Sequence, residues 1–261
     1  MRHPVLGVLH QRVGHNLLLV TMLPLAVFLS ISVSCLAQTF NMNMDQQLTP
    51  WNPCVEPTCD PGGSGIPNSY SIFETGLNWP TTSLGLSMTG PAWTNFLVWD
   101  KVGATDAGNF NSDFWAYIPA GYLKTAYQAL EYDIFAYNAP YRFMFGSQCV
   151  IDAKWQIWDE LHKAWLDTIL PCALTFGAWH HIQWWVHRVS GDTSCDGYPC
   201  MYYDMLGIDG GYTLFGTKEP AGPIPSGWSN DSGLNFQLDR SAVAGTLSVG
   251  EYIRKVNFVE N

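Results

Sequence analysis

Four segments of the sequence place polar and aromatic side chains at alternate positions, with apolar side chains between them. Neighbouring side chains of a β-strand point to opposite sides of a sheet, so each segment would bury one set and present the other. A few polar groups among aromatic walls are typical of a small-molecule site, and this mixture suits the hydroxyls and C–H faces of a neutral sugar. The candidate ligand-binding residues are Glu131, Asp133, His181, Gln183 and Gln237 for hydrogen bonds, and Trp115 and Trp185 for stacking.

The elements that position these residues are predicted to be strands. Apolar runs with alternating or β-branched character are separated by turn residues such as Gly103, Pro140 and Gly210. The segment 155–168 is interpreted as two strands around a turn near Asp159-Glu160, although it can also be read as a helix. Ten or more strands without helices between them predict an all-β, antiparallel two-sheet β-sandwich. The predicted strands are approximately 93–100, 112–118, 128–137, 141–148, 152–158, 178–188, 200–208, 211–215, 233–239 and 251–259.

Alternation also assigns the apolar sets to the core of the sandwich. We expect the opposite sets to form one binding face, because an ordinary solvated sheet face would carry more Lys, Glu and Thr. The residues predicted to point inward are Phe114, Ala116, Ile118, Leu130, Tyr132, Ile134, Ile182, Trp184, Val186, Leu234, Phe236 and Leu238.

The composition excludes several classes of function. The chain has 261 residues, with 12 basic and 22 acidic side chains and a formal net charge of −10. This charge argues against binding to nucleic acid or to an anionic membrane through a basic patch. A hydrophobic fraction of 47% against 13% charged residues predicts a folded domain with a substantial core.

The N-terminus has the pattern of a secretory signal peptide over residues 1–37. Arg2 and Arg12 precede a nearly continuous apolar stretch, and small residues lead to a cleavage site near Ala37. An uncleaved membrane anchor and lipidation at Cys35 are the alternatives. After cleavage, a loop-rich segment 38–91 is expected to enter a sandwich body over 92–261 as one domain. The sequence therefore predicts a secreted protein that has left the membrane.

Six cysteines remain after the predicted cleavage. An even number in an exported chain favours disulfides, although six cysteines allow 15 pairings. Zinc is the alternative, but the cysteine spacings are not those of a usual zinc site. Proximity in sequence favours the pairs Cys54–Cys59, Cys149–Cys172 and Cys195–Cys200.

Several motifs in order resemble the concanavalin A-like lectin and glucanase superfamily, and they look closest to a group of exported bacterial jelly-roll proteins. The resemblance implies a jelly roll of two curved sheets with a concave face, in a superfamily that binds or cleaves polysaccharides. The motifs are Gly63-Ser64-Gly65, Leu130-Glu131-Tyr132-Asp133, Phe145-Gly146-Ser147-Gln148-Cys149, Trp155-Gln156-Ile157-Trp158-Asp159, Pro171-Cys172, Trp179-His180-His181-Ile182 and Asn235-Phe236-Gln237-Leu238-Asp239.

The glucanase branch of this superfamily carries Glu-x-Asp-x-Glu on one strand. Glu131 and Asp133 match its first two positions, but Phe135 stands at the third and cannot donate a proton. A retaining mechanism needs two carboxyls about 5–5.5 Å apart across the glycosidic bond. Glu131 and Asp133 are about 6.6–6.8 Å apart along a strand and lie on the same side of the substrate. An acid from another strand, such as Asp113 or Asp239, could substitute, so the enzymatic interpretation stays open but is disfavoured.

The lectin branch holds a manganese and a calcium ion with Glu-x-Asp-x-Phe-x-Asn and further ligands. Here Asn138 stands one residue late, and Arg142 occupies a region where an acid is needed. We therefore predict no paired metal site and no cofactor, although Glu131 and Asp133 could contribute to a structural calcium site. The sequence as a whole predicts a non-catalytic protein that binds a polysaccharide or glycan. An atypical glycoside hydrolase and a structural cell-surface or matrix protein remain as alternatives.

Overall fold

The computed structural model describes residues 51–55, 66–76, 83–189 and 191–261, together with the backbone of 38–41. The predicted signal peptide, its cleavage site near Ala37, and Cys59 lie outside the described residues. The strands are β1 (Gln38–Asn41), β2 (Asn52–Cys54), β3 (Ser69–Thr75), β4 (Ser83–Gly90), β5 (Asn95–Gly103), β6 (Asn109–Tyr117), β7 (Tyr127–Asn138), β8 (Tyr141–Phe145), β9 (Ser147–Val150), β10 (Lys154–Asp159), β11 (Ala164–Pro171), β12 (Trp179–Arg188), β13 (Cys200–Ile208), β14 (Gly211–Pro220), β15 (Gly222–Pro223), β16 (Asp231–Arg240) and β17 (Leu247–Glu260). A short 3-10 helix covers Lys124–Ala126.

These strands form two antiparallel sheets. An eight-stranded sheet has the order β14-β13-β12-β6-β17-β4-β3, with β1 paired to β17. A nine-stranded sheet has the order β11-β10-β9-β7-β16-β5-β2, with β8 paired to β7 and β15 paired to β8. Some neighbours are consecutive hairpin strands, whereas others, such as β6 and β17 or β7 and β16, are far apart in sequence because the chain crosses repeatedly between the sheets. The predicted all-β two-sheet sandwich is confirmed.

The core lies between the two sheets and is filled by the predicted inward residues. Every residue of that set is buried. The rings of Phe114 and Tyr132 lie 5.0 Å apart, and those of Phe114 and Phe236 lie 5.1 Å apart, which joins the two sheets. Alternation predicted this set correctly because the strand period is a local property of the backbone.

The hairpin interpretation of segment 155–168 is also confirmed. Strands β10 and β11 pair antiparallel around a turn, with Trp158 opposite Trp165. Within the segment 38–91, β3 and β4 pair with each other and β4 pairs with β17, so this segment contributes strands to the eight-stranded sheet.

Two of the three predicted disulfides are present in the described residues. Cys149 is bonded to Cys172, and Cys195 is bonded to Cys200. The first bond connects β9 to the segment that follows β11. The predicted pair Cys54–Cys59 includes a residue outside the described part of the chain.

A glycine in β16 sets how closely β16 approaches its neighbours. A Cβ added at Gly233 would lie 2.0 Å from the carbonyl oxygen of Asp100 and 2.7 Å from the Phe135 ring. We expect Gly233→Ala to lower the free energy of unfolding by about 1–3 kcal/mol, because backbone must move to admit the methyl group. Urea denaturation measures this loss. Gly108→Ala is the control, since its Cβ would make only an ordinary 3.5 Å contact with Arg188. Equal stability of the two variants would contradict the prediction.

Candidate functional site

The seven predicted binding residues are divided between the two sheets. Glu131, Asp133 and Gln237 lie on β7 and β16 of the nine-stranded sheet. The other four, Trp115, His181, Gln183 and Trp185, lie on β6 and β12 of the eight-stranded sheet. Both groups alternate with core residues and point away from the core, so the sandwich separates them. This corrects the expectation of one shared face, because alternation gives the side of a strand but not the sheet that the strand joins.

We call the outer side of the nine-stranded sheet the carboxylate face. A row of five polar residues crosses five of its strands, and strand register places each member opposite the next. In the strand register, Gln156 lies opposite Asp167 on one side and Gln148 on the other. Glu131 lies opposite Gln148 on one side and Gln237 on the other. This polar row, in spatial order, is Asp167, Gln156, Gln148, Glu131 and Gln237.

A second row runs beside the polar row and carries tryptophans towards both ends. Asn235 of β16 lies opposite both Asp133 and Trp99, and Trp158 lies opposite Trp165 on the other side of the sheet. The three tryptophans are partly exposed. Strands are about 4.8 Å apart, so the four strand steps from Trp99 to Trp158 span about 19 Å. The face therefore offers aromatic surfaces on either side of a polar centre, over a length that suits an extended ligand.

A third carboxylate lies beside Glu131 at this centre. Asp239 of β16 contacts Glu131 and accepts a hydrogen bond from Gln237 Nε2 at 3.0 Å. Two carboxylates are both acceptors, so the contact between Asp239 and Glu131 is a hydrogen bond only when one carboxyl keeps a proton. A third carboxyl thus lies near Glu131, on a strand other than β7.

The carboxylates of this face are poorly hydrated. Asp133 and Asp239 are 5% and 6% exposed, although they point away from the core. Burial raises the pKa of both carboxyls above the ordinary value of 3.8, and the charge of Asp239 raises the pKa of Asp133 further. The amide of Ser147 donates to Asp133 at 3.1 Å and partly opposes this rise.

Hydrogen bonds fix the amide orientations in the polar row. Gln156 donates to Asp167 at 2.8 Å, so its own oxygen faces Gln148, which donates to it at 2.5 Å. The Oε1 atom of Gln148 is therefore turned away from Gln156, and it is buried with no donor in the described part of the chain. Asn235 behaves in the same way, because its side chain hydrogen-bonds Asp133 and its Oδ1 atom is left without a donor. The centre of the face is consequently rich in acceptors and poor in donors.

We call the outer side of the eight-stranded sheet the histidine face. His181 Nε2 and Gln183 Nε2 both bond to Asp113, each at 2.8 Å. The Trp115 ring stacks on His181 with centroids 4.9 Å apart. Tyr212 donates to Gln183 Oε1 at 3.2 Å, so both ends of the Gln183 amide have partners. These predicted residues therefore contact one another and Asp113.

Trp185 lies at the edge of the histidine face beside a shallow cavity. The cavity has a volume of about 280 Å³ and is lined by Asn109, Asn111, Trp185 and Asn261, with Phe110 and Val259. Of the four predicted residues of this face, Trp185 is the one that lines this cavity.

No group of three or more His, Cys, Asp or Glu side chains in the described ranges has the geometry of a metal site. Likewise, no helix among those residues has the length and hydrophobicity needed to cross a bilayer.

Sequence reasoning missed the roles of Trp99, Trp165 and Gln148 in the carboxylate face. Alternation against Trp155 gives the outward direction of Trp158, which is a signal present in the sequence. No local signal places Trp99 beside Asn235, because that neighbour is set by the register between β5 and β16.

Similarity to known proteins is found among solved structures, at low sequence identity. No family model and no curated protein matches the chain. Arcelin-5, a lectin-like defence protein from Phaseolus vulgaris, is 10% identical with a TM-score of 0.48, over 86% of this chain and 98% of that one. A cellulose-induced protein is 11% identical with a TM-score of 0.47, over 85% and 96%. An alginate lyase in complex with an alginate trisaccharide is 9% identical with a TM-score of 0.43, over 76% and 97%.

The structure itself shows that the chain is an antiparallel two-sheet β-sandwich.

Proposed function

We propose that the protein is an exported carbohydrate-binding protein whose ligand lies across the carboxylate face and is not cleaved. The observation that supports this most is the two adjacent rows of this face, which carry polar side chains and partly exposed tryptophans and include two buried acceptor oxygens without a donor in the described residues. Sugar hydroxyls are donors as well as acceptors, and pyranose C–H faces pack against aromatic rings. Of the residues predicted from the sequence, Glu131, Asp133 and Gln237 take part in this proposal. Export is supported by the two disulfides, which persist in oxidising compartments.

Tryptophan substitution on each face tests the location of the site. We expect Trp158→Ala to weaken binding of an oligosaccharide identified on a glycan array by about tenfold or more, as aromatic anchors commonly do. Trp185→Ala, on the histidine face, should leave the dissociation constant unchanged. Isothermal titration of both variants gives the comparison. Loss of binding in Trp185→Ala alone would move the site to the histidine face, and absence of binding to any glycan would favour a structural role.

The glycoside hydrolase alternative gains a third carboxylate in Asp239 but not the required geometry. Glu131 and Asp239 are in contact, whereas a retaining pair stands about 5–5.5 Å apart and an inverting pair further apart. We therefore expect no release of reducing sugar from β-glucans. Release that disappears in Glu131→Gln would overturn the non-catalytic proposal.

A further inference from the structure

We propose that the carboxylate face prefers glycans that carry a protonated amine, such as polymers of β-1,4-linked glucosamine without N-acetyl groups. This inference rests on the proposed function and specifies the class of ligand. A preference for protonated amines would differ from that of a site for neutral glucans and from that of a site for uronic acid polymers.

The first argument is the charge at the centre of the face. The charges that act on Asp133 are those of Asp239 and Glu160, and both are negative. The cations of the surrounding region are already paired with other acids. Arg142 Nε bonds to Glu160 at 2.6 Å, and Lys101 Nζ lies 2.8 Å from Asp231.

The outer end of the polar row is also neutralised. Lys154 Nζ lies 3.4 Å from Asp167, and both side chains are half exposed. In the middle of the face, the carboxyls of Asp133 and Asp239 have no ion pair with a cation in the described part of the chain. A glycan ammonium group placed there would favour the ionised form of these carboxyls, whereas an anionic polysaccharide would oppose it.

The second argument is independent of charge and comes from the unpartnered acceptors. Gln148 and Asn235 are 2% and 7% exposed, and each has a buried side-chain oxygen with no donor in the described residues. Their amides cannot simply be reversed, because Gln156 and Asp133 hold the other end. A buried acceptor without a donor costs free energy, so a ligand that brings a donor to this centre would offset that cost.

An ammonium group satisfies both requirements at once. It carries three donors and no acceptor, whereas a hydroxyl carries one donor. Its positive charge also favours the ionised form of the buried carboxyls, which burial otherwise opposes. An N-acetylated sugar has neither the charge nor the three donors.

The test compares three oligosaccharides of equal length at about pH 6, where free amines of this kind are protonated to a useful extent. The probes are β-1,4-linked hexamers of glucosamine, N-acetylglucosamine and glucose, titrated calorimetrically into the protein. We expect the glucosamine hexamer to bind about tenfold or more tightly than the other two, which corresponds to about 1.4 kcal/mol. Raising the salt concentration should weaken this preference, since it is electrostatic.

Asp239→Asn separates charge from shape in this test. The variant keeps the size of the side chain and removes its charge, so it should weaken binding of the glucosamine hexamer much more than binding of the glucose hexamer. Asp204→Asn makes the same chemical change on the opposite sheet and should behave as wild type. Thermal melting of both variants checks that each is folded.

The outcomes distinguish this inference from the proposed function. Equal binding of the glucosamine and glucose hexamers would overturn the amine preference and leave carbohydrate binding intact. A preference that persists in Asp239→Asn, and in Glu131→Gln as a second variant, would also overturn it. If none of the three hexamers and no other glycan binds to the protein, the proposed function itself is wrong.

Discussion

Replacement of Glu251 by glutamine is expected to make the protein more stable than wild type at alkaline pH. Glu251 lies on β17 and points into the core, where it is 0% exposed and accepts a hydrogen bond from the Tyr132 hydroxyl. Its second oxygen has no donor among the described residues. Burial raises the pKa of this carboxyl from 4.5 to about 8. The folded protein therefore holds a proton that the unfolded chain releases.

The direction of the pH effect follows from this difference. The raised pKa of folded Glu251 adds its full contribution to the free energy of unfolding at pH values below 4.5, the pKa in the unfolded chain. This contribution is lost as the pH rises to about 8, the pKa in the folded protein. Each pKa unit corresponds to about 1.4 kcal/mol, so the loss approaches 4–5 kcal/mol. Glutamine keeps the acceptor for Tyr132 and does not titrate. The stability of Glu251→Gln relative to wild type should therefore increase by about 4 kcal/mol between about pH 5 and pH 9.

Urea unfolding at a series of pH values measures this difference directly. Other buried acids, including Asp133, titrate in both proteins and cancel in the comparison. Glu74→Gln is the matched control, because Glu74 is exposed on β3 and its replacement should give a nearly constant difference. A flat difference for Glu251→Gln over the same range would show that Glu251 ionises without cost in the folded protein.

Removal of the disulfide Cys149–Cys172 is expected to produce the second large effect. The bond joins residues 23 apart and closes a loop around the β10–β11 hairpin. In the chain-entropy model, opening a loop of this length costs about 3–4 kcal/mol of stability. The double variant Cys149→Ala/Cys172→Ala should therefore unfold at clearly lower denaturant concentration.

The second disulfide supplies a control of the same chemistry. Cys195 and Cys200 are only 5 residues apart, so the double alanine variant should lose about 2 kcal/mol. Glycan binding should suffer only when the first bond is removed, because Trp158 and Trp165 lie on the hairpin that it closes. Equal losses for the two double variants would contradict an effect governed by loop length.

The case of β7 shows what local patterns determine. The alternation of Leu130, Tyr132 and Ile134 with Glu131 and Asp133 predicted both the strand and its two sides, and the structure has them so. The same period predicted the inward side of β6, β12 and β16. The two described disulfides followed from proximity in sequence. Each of these properties depends on residues close together along the chain.

The case of the binding face shows what local patterns cannot determine. His181 and Glu131 are both outward-facing polar residues on strands, and nothing nearby in sequence assigns them to different sheets. Gln237 is far from Glu131 in sequence, yet register makes them direct neighbours.

The sequence by itself determined that the chain forms a β-sandwich and which side of each strand is buried, because the two-residue period of a strand is imposed by its own backbone. Only the tertiary structure decided which strands lie side by side and in what register, because non-local pairing is settled by packing of the whole core. That pairing brought Asp239 to Glu131, placed Trp99 and Trp158 on either side of Asp133, and moved the histidines to the opposite face.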